Sequence, residues 1–407
     1  MNNKLVVSQQ NLTEGRALAI LRRYWIGVAF VYLTIWWLGY RYLAASWQPI
    51  TANQWSMGAG LMGLIVLGLL WQGLRQNRPS EDEPLWSTLG YGNGLSLARG
   101  LLLTLFTGFL FLPRPPGVLA WLPALLLTAD RLLDLFDGYV ARITGRESKL
   151  GAMLDIEFDG LDVLVAVLLG IQYGMLPAWY LVLAVSRQLF VAGMWLRRRA
   201  GKPNRDLPPS DNRRPIAGFQ TGFLCVMLWP ILPPALSNVA AILFAIPLCF
   251  SFGRDWLVVS HLIDPAATHY QQGRRWIKRI FEEWLPLLAR VSIMLLVSTA
   301  LWREWPDFPH WQRYFSQSGV NMAPPLLAAL AFSFLTLAML VLCGLSARVA
   351  ALLLLLLVIL DMQINGFLWS DNGLLLISTV IILHLGSGPL SLWRPEEHFL
   401  HTRFGKR

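Results

Sequence analysis

Four aspartates stand in two short runs of this chain. The first is Asp134-Leu-Phe-Asp137-Gly138-Tyr-Val-Ala141-Arg142. After eight residues comes Gly151-Ala-Met-Leu-Asp155-Ile-Glu-Phe-Asp159. On a helix, Asp134, Asp137 and Ala141 share a face through i, i+3 and i+7 spacing, and Asp155 and Asp159 share one through i, i+4. If two antiparallel helices turn about the polar stretch Ile143 to Leu150, Asp134 and Asp159 each lie 12.5 residues from position 146.5. Asp137 and Asp155 lie 9.5 and 8.5 residues from it. At about 1.5 Å per residue, each pair falls at nearly one depth.

Four carboxylates facing one another in so small and poorly hydrated a space need counter-ions. Two divalent cations would neutralise them. An all-oxygen donor set favours Mg²⁺ or Mn²⁺, and the lack of His or Cys nearby argues against zinc. A paired-cation site suits a pyrophosphate and displacement at phosphorus. Gly138, Ala141 and Gly151 would leave room for a nucleotide against the helix backbones, and Arg142 offers a two-pronged phosphate contact.

The elements that must carry this cluster are membrane helices. Of 407 residues, 55% are hydrophobic and only 14% charged, and mean hydropathy is +0.48. That balance belongs to a polytopic membrane protein of the all-α class. Apolar runs long enough to cross a bilayer number about twelve. They lie near 24–43 and 57–74; near 95–113, 117–141, 151–171, 176–195, 216–236 and 238–257; and near 284–302, 323–343, 347–362 and 367–386. Polar linkers at 75–86 and 264–283 divide them into groups of two, six and four. The organisation expected is thus a two-span segment over 1–85, a six-helix core over 86–263 and a four-span module over 264–407. The first run has no small-residue cleavage site behind it and reads as a signal anchor.

The formal charge of +10 sits mostly in loops, which is the pattern of topology signals and anionic headgroups rather than of nucleic-acid binding. The segment 197–215 alone holds Arg197, Arg198, Arg199, Lys202, Arg205, Arg213 and Arg214, whereas 303–322 has only Arg303 and Arg313. One alternation satisfies every loop, with both termini and the aspartates at the cytoplasmic side. Cys225, Cys249 and Cys343 lie in apolar runs without metal-ligand spacing and read as bystanders.

Asp-x2-Asp-Gly-x2-Ala-Arg-x8-Gly-x3-Asp-x3-Asp resembles the signature of the CDP-alcohol phosphatidyltransferases, matching at all eight positions over a core of roughly residues 86–260. The resemblance implies that Asp134, Asp137, Asp155 and Asp159 bind the metal ions. Asp159 would also take the proton from an attacking hydroxyl. It implies further that Gly138, Ala141, Arg142 and Gly151 line the CDP site. Asn93-Gly-Leu-Ser96-Leu-Ala-Arg99 is similar to the family's Asn-x2-Thr/Ser-x2-Arg entry to the first core helix, which places Asn93 and Ser96 near the nucleotide. The partners implied are a CDP-lipid, a small alcohol and the bilayer, with a homodimer as one assembly open to the chain.

Arg187 lies inside an expected span and needs an anionic partner. Together with Arg213 and Arg214 it would bind a phosphorylated acceptor such as glycerol 3-phosphate. For the two loop arginines, plain topology charge explains the residues as well. In the last module, Leu-Leu-Ala-Arg290-Val and the Leu-Gly-Ser-Gly-Pro-Leu-Ser-Leu run at 385–392 look similar to DoxX-type four-helix membrane proteins. Asp361 and His384 there read as helix-packing residues, with a quinone or proton role as the alternative. Two other classes stay open: an intramembrane prenyltransferase, which also sets aspartates and Mg²⁺ against a pyrophosphate, and a membrane scaffold or transporter that keeps the motif without turnover.

Overall fold

The computed structural model describes residues 2–207, 213–230, 232–304, 309–317 and 323–395. Among them helix follows helix, with one isolated bridge between Leu345 and Trp393 and no strand. This is the polytopic helical membrane architecture that the composition calls for. Each of the twelve expected spans is helical over most of its length. Among the described residues, six helices are long and apolar enough to cross a membrane by themselves, or seven if Ala178–Ala184 and Ser186–Arg199 count as one span. The three helices of the aspartate core are not among the six. All three carry charged residues of the site, which lowers their apolarity.

Packing divides the chain into one unit of Met1–Arg187 with Thr221–Ala241, and a second of Gln188–Gln220 with Ile242–Arg407. The first unit contains α1 (Asn2–Ser46), α2 (Pro49–Gly73), α3 (Gly90–Thr107), α4 (Trp121–Ile143) and α5 (Lys149–Gln172). Pro49 stands at the start of α2, where its missing N–H has no helical partner to lose. Tyr32 Oη of α1 donates to the Leu97 carbonyl of α3 (2.5 Å), and Trp55 Nε1 of α2 donates to that of Leu105 (3.1 Å). Indole and phenol side chains thus lock the first two helices onto α3 while keeping their polar atoms satisfied.

The tightest convergence is at Gly100. A Cβ there would lie 2.8 Å from Val66 of α2, 2.9 Å from Tyr32 Oη and 3.0 Å from Phe158 of α5. Only glycine lets α3 sit this deep among three neighbours. Helix α4 ends where Gly145 takes a positive φ of 62°, a conformation costly for other residues. Helix α5 then starts on Ser148, whose Oγ accepts from the Gly151 N–H (3.0 Å) as an N-cap.

After α6 (Leu181–Ala184), α7 (Ser186–Arg199), α8 (Arg213–Met227) and α9 (Pro234–Val259), the second unit includes α10 (Thr268–Arg279), α11 (Leu285–Glu304), α12 (Pro309–Gln317), α13 (Pro324–Cys343), α14 (Ala347–Asn365) and α15 (Leu374–Leu385). Its centre is Arg290 of α11, which is buried. The guanidinium donates to the carbonyls of Val341 and Leu342 at the end of α13, and to those of Ser387, Pro389 and Leu390. The last turn of a helix leaves carbonyls without partners, and here an arginine fork from another helix takes them. Arg290 thereby joins the two sequence stretches singled out above.

The linker 264–283 is not extended chain. It forms α10, with Trp276 and Ile277 exposed beside Arg274, Arg275, Lys278 and Arg279, the composition of a helix lying in a membrane interface. Asp361 accepts from Asn365 (2.7 Å) and Asn372 (3.1 Å), and His384 stacks on Phe219 at 4.1 Å. Both therefore have packing partners within the helical bundle.

Candidate active site

Helices α4 and α5, joined by the turn at 144–148, both pack on α3 and turn their carboxylates toward it. Oxygens of Asp134, Asp137 and Asp155 come within 4.8 Å of one another. These hard, anionic oxygen donors fit Mg²⁺ or Mn²⁺, and no sulfur or imidazole belongs to the group. Asp159 stands one turn deeper on α5.

At the point where these side chains meet lies Arg99 of α3, whose side chain is fully buried. Its Nη1 is 2.6 Å from Asp134 Oδ1, 3.1 Å from Asp137 Oδ2 and 2.9 Å from Asp155 Oδ1, and its Nη2 is 2.7 Å from Asp159 Oδ1. The sequence motif around Asn93 contains this arginine. Its spacing alone does not reveal that the side chain ends inside the carboxylate cluster, 35 to 60 residues along the chain from the partners just named.

A third pair of aspartates lies beneath the other two. Asp130 extends the α4 row and Asp162 the α5 row, so that both helices carry Asp at i, i+4 and i+7 (130, 134, 137 and 155, 159, 162). Asp130 and Asp162 lie 16.5 and 15.5 residues from position 146.5, again at nearly one depth. Both are buried, and Arg131 joins them: Nε donates to Asp130 Oδ2 at 2.8 Å, and Nη2 meets Asp162 Oδ2. Arg131 Nη1 also donates to Asp159 Oδ1 at 3.2 Å. The signal for this layer was present in the repeated spacing, although a search confined to the Gly-x2-Ala-Arg pattern passes over it. Six carboxylates and two guanidiniums leave four formal negative charges, the amount two divalent cations carry.

The residues expected near a nucleotide fall into two groups. Ser96 Oγ donates to Asp137 Oδ2 (3.0 Å) and so orients a carboxylate. Asn93 Nδ2 lies 2.8–3.1 Å from Leu89 O, Asn77 Oδ1 and the Ser148 hydroxyl, tying the start of α3 to the N-cap of α5. Two of the small residues have packing reasons as well. A Cβ on Gly92 of α3 would sit 2.8 Å from Ala141 Cβ, and one on Gly151 would sit 2.6 Å from Asn93 Oδ1. Gly138 leaves space for Arg142, whose Nη1 would be 3.1 Å from a Cβ at that position. Arg142 itself is exposed, free to meet an anion.

Arg187 is exposed, near the start of the helix Ser186–Arg199. The side chains of Arg213 and Arg214 lie outside the described residues. Asp134, Asp137, Asp155, Asp159, Asn93, Ser96, Gly138, Ala141, Arg142 and Gly151 are all carried by α3, α4 and α5 of the first unit.

This segment has known relatives. Residues 90–252 match the family model of CDP-alcohol phosphatidyltransferase. A CDP-diacylglycerol–glycerol-3-phosphate 3-phosphatidyltransferase of Cereibacter sphaeroides is 35% identical over 89 residues, 21% of this chain and 39% of that protein. A protein of Mycobacterium tuberculosis provisionally named cardiolipin synthase is 28% identical over 141 residues, 33% of this chain and 63% of that protein. A Bacillus subtilis protein bearing the same name as the first is 29% identical over 114 residues, 26% and 59% of the two chains. The chain therefore spans between 39% and 63% of the length of these relatives. No solved structure matches it. The matched segment holds the six aspartates of the site together with Arg99 and Arg131.

Proposed function

We propose that this protein is a membrane enzyme of phospholipid synthesis that transfers a phosphatidyl-type group from a CDP-lipid to an alcohol, releasing CMP. The observation that carries the reading is the convergence of Asp134, Asp137 and Asp155 on one point between two membrane helices, inside the segment that matches the family. Asp134, Asp137 and Asp155, with Asp159 beside them, would hold Mg²⁺ or Mn²⁺. When bound, the ions would neutralise the pyrophosphate and polarise the phosphorus under attack.

The protein's own groups do the rest. Asp159 accepts the proton of the acceptor hydroxyl, and the hydroxyl oxygen forms a bond to the lipid-side phosphorus. The bond from that phosphorus to the bridging oxygen breaks, and the electron pair leaves with CMP. Arg142 binds phosphate oxygens through its fork at the mouth of the hairpin. Gly138, Ala141 and Gly151 keep side chains out of the CDP path, with Asn93 and Ser96 bracing its floor.

The acceptor in this reading is glycerol 3-phosphate or another phosphorylated polyol, bound by Arg187, Arg213 and Arg214. Its support is the cationic character of those residues and the name carried by two relatives. The site opens to the cytoplasm, as the loop charges favour. The six-helix core of 86–263 does the chemistry, while 1–85 and 264–407 are flanking membrane segments.

The deciding experiment incubates purified protein with CDP-diacylglycerol, Mg²⁺ or Mn²⁺ and a panel of alcohols, and measures CMP. Metal-dependent release with a polyol phosphate is expected. Turnover with serine or free inositol but not with glycerol 3-phosphate would reject the acceptor pocket. No CMP with any alcohol would reject the transferase.

A further inference from the structure

The layer beneath the catalytic carboxylates has a geometry that the transfer reaction does not by itself require. Among the described residues, Asp130 and Asp162 are almost completely buried, and each has one oxygen without a hydrogen-bond donor. Between them sits Arg131. Its Nε and Nη2 contact Asp130, at 2.8 Å and 2.5 Å from Oδ2, and Nη2 also meets Asp162. A guanidinium clamped along one edge by two buried anions cannot rotate. Only Nη1 is left to point up toward the surface, and it meets Asp159 Oδ1 at 3.2 Å.

Asp159 is thereby gripped on one oxygen. Oδ1 accepts from Arg131 Nη1 and from Arg99 Nη2 (2.7 Å), whereas Oδ2 has no donor among the described residues. A carboxylate bound this way cannot exchange its two oxygens by rotating about its Cβ–Cγ bond without breaking two charge-assisted hydrogen bonds. One oxygen faces the arginines. The other is held open on the side where nearly half of the Asp159 side chain is accessible.

We propose that Arg131, anchored by Asp130 and Asp162, is a positioning residue. It fixes the rotation of the Asp159 carboxylate so that Oδ2 meets the acceptor hydroxyl. The proposal rests on the transferase reading and on the assignment of Asp159 as the base. It gives the buried pair a purpose: Asp130 and Asp162 aim a cation that never touches substrate. General-base efficiency depends on such aim, because the reacting groups must lie in hydrogen-bond reach along a narrow range of directions. Removing the aiming group would slow the chemical step and spare donor binding, which lies with other residues.

The test compares wild type with Arg131→Met, Arg131→Lys and the triple variant Asp130→Asn/Arg131→Met/Asp162→Asn, measuring CMP release and thermal unfolding. Arg131→Met strands two buried charges and should both unfold more easily and turn over more slowly. The triple variant strands none. Its melting temperature should return toward wild type while kcat stays roughly 10- to 100-fold down. KM for the CDP-lipid should remain within about threefold of wild type, as expected where only a transition-state interaction is lost. Arg131→Lys should recover part of kcat.

Recovery of kcat together with stability in the triple variant would overturn the proposal, since it would show that Arg131 merely neutralises its neighbours. So would a folded Arg131→Met protein of normal kcat. A wild-type protein that releases no CMP would instead sink the transferase reading, and the proposal with it. Active wild type with Arg131→Met and triple variants of wild-type kcat sinks the positioning role alone.

Discussion

Replacing Arg99 with methionine, a flexible apolar side chain that fits irregular space, removes the one cation shared by five aspartates. At an effective dielectric near 20, one contact at 3 Å is worth roughly 5 kcal/mol before desolvation is counted. The five contacts are unequal. Asp155 and Asp159 have side chains 48% and 45% exposed, so solvent screens most of their share. Asp130 and Asp137, at 2% and 8%, keep theirs, and Asp134 at 30% lies between.

Breaking a buried pair by removing one partner costs about 3–5 kcal/mol. That range is the destabilisation expected for Arg99→Met in the presence of chelator. Divalent ions should then stabilise the variant more than the wild type, because the guanidinium no longer competes for Asp134, Asp137 and Asp155. A ligand at a hundred times its Kd supplies about 2.7 kcal/mol, so Mn²⁺ should recover a large part of the loss. The assay is unfolding of detergent-solubilised protein followed by tryptophan fluorescence, with EDTA and with Mn²⁺. Equal stability of variant and wild type in EDTA would refute the claim that Arg99 holds the cluster together. A deficit that Mn²⁺ does not reduce would refute the claim that the same three carboxylates form the cation site.

Asp159→Asn should insert and fold normally yet lose CMP release, since an amide cannot take the proton; near-normal turnover would remove Asp159 from the chemistry. Gly151→Ala should push Asn93 aside, because the new methyl would lie 2.6 Å from its Oδ1. A loss of about 1–3 kcal/mol, read as a lower melting temperature, is expected, and an unchanged melting temperature would mean that α3 and α5 can part at no cost. Arg290→Met should remove the guanidinium donor from the carbonyls of Val341, Leu342, Ser387, Pro389 and Leu390. Each buried acceptor that has no other donor costs about 1–3 kcal/mol. Limited proteolysis should show a loosened second unit, and wild-type resistance would contradict the clamp.

The sequence made the hairpin legible because its two signals are local. Helical periodicity and distance from a short turn are both properties of a single stretch, and they place Asp134, Asp137, Asp155 and Asp159 without knowledge of the rest of the chain. What escaped is of two kinds. Arg99 reaches its partners across the fold from another helix, and no local spacing encodes that contact. Ala141 and Gly151 were read as space for a nucleotide, but their smallness also serves the approach of α3 to the hairpin, a demand visible only once Gly92 and Asn93 are seen against them. Helices α10 and α12 read as linker and loop because their apolar residues are few and their lengths fall short of a span.

Asp130 and Asp162 show a different limit. Their spacing was as legible as that of the other four aspartates, but a family pattern draws attention to the positions it contains. The physical argument reaches further than the pattern: any ionisable group on the buried face of a membrane helix is costly and calls for a partner, whether or not a signature includes it. Applied to the whole of α4 and α5, that rule finds three matched carboxylate pairs rather than two. It then asks what balances the third pair. Arg131 is adjacent to Asp130 in sequence and can answer. The deeper layer follows from charge balance alone, and the outer pairs differ from it in being open enough for ions and substrate to enter.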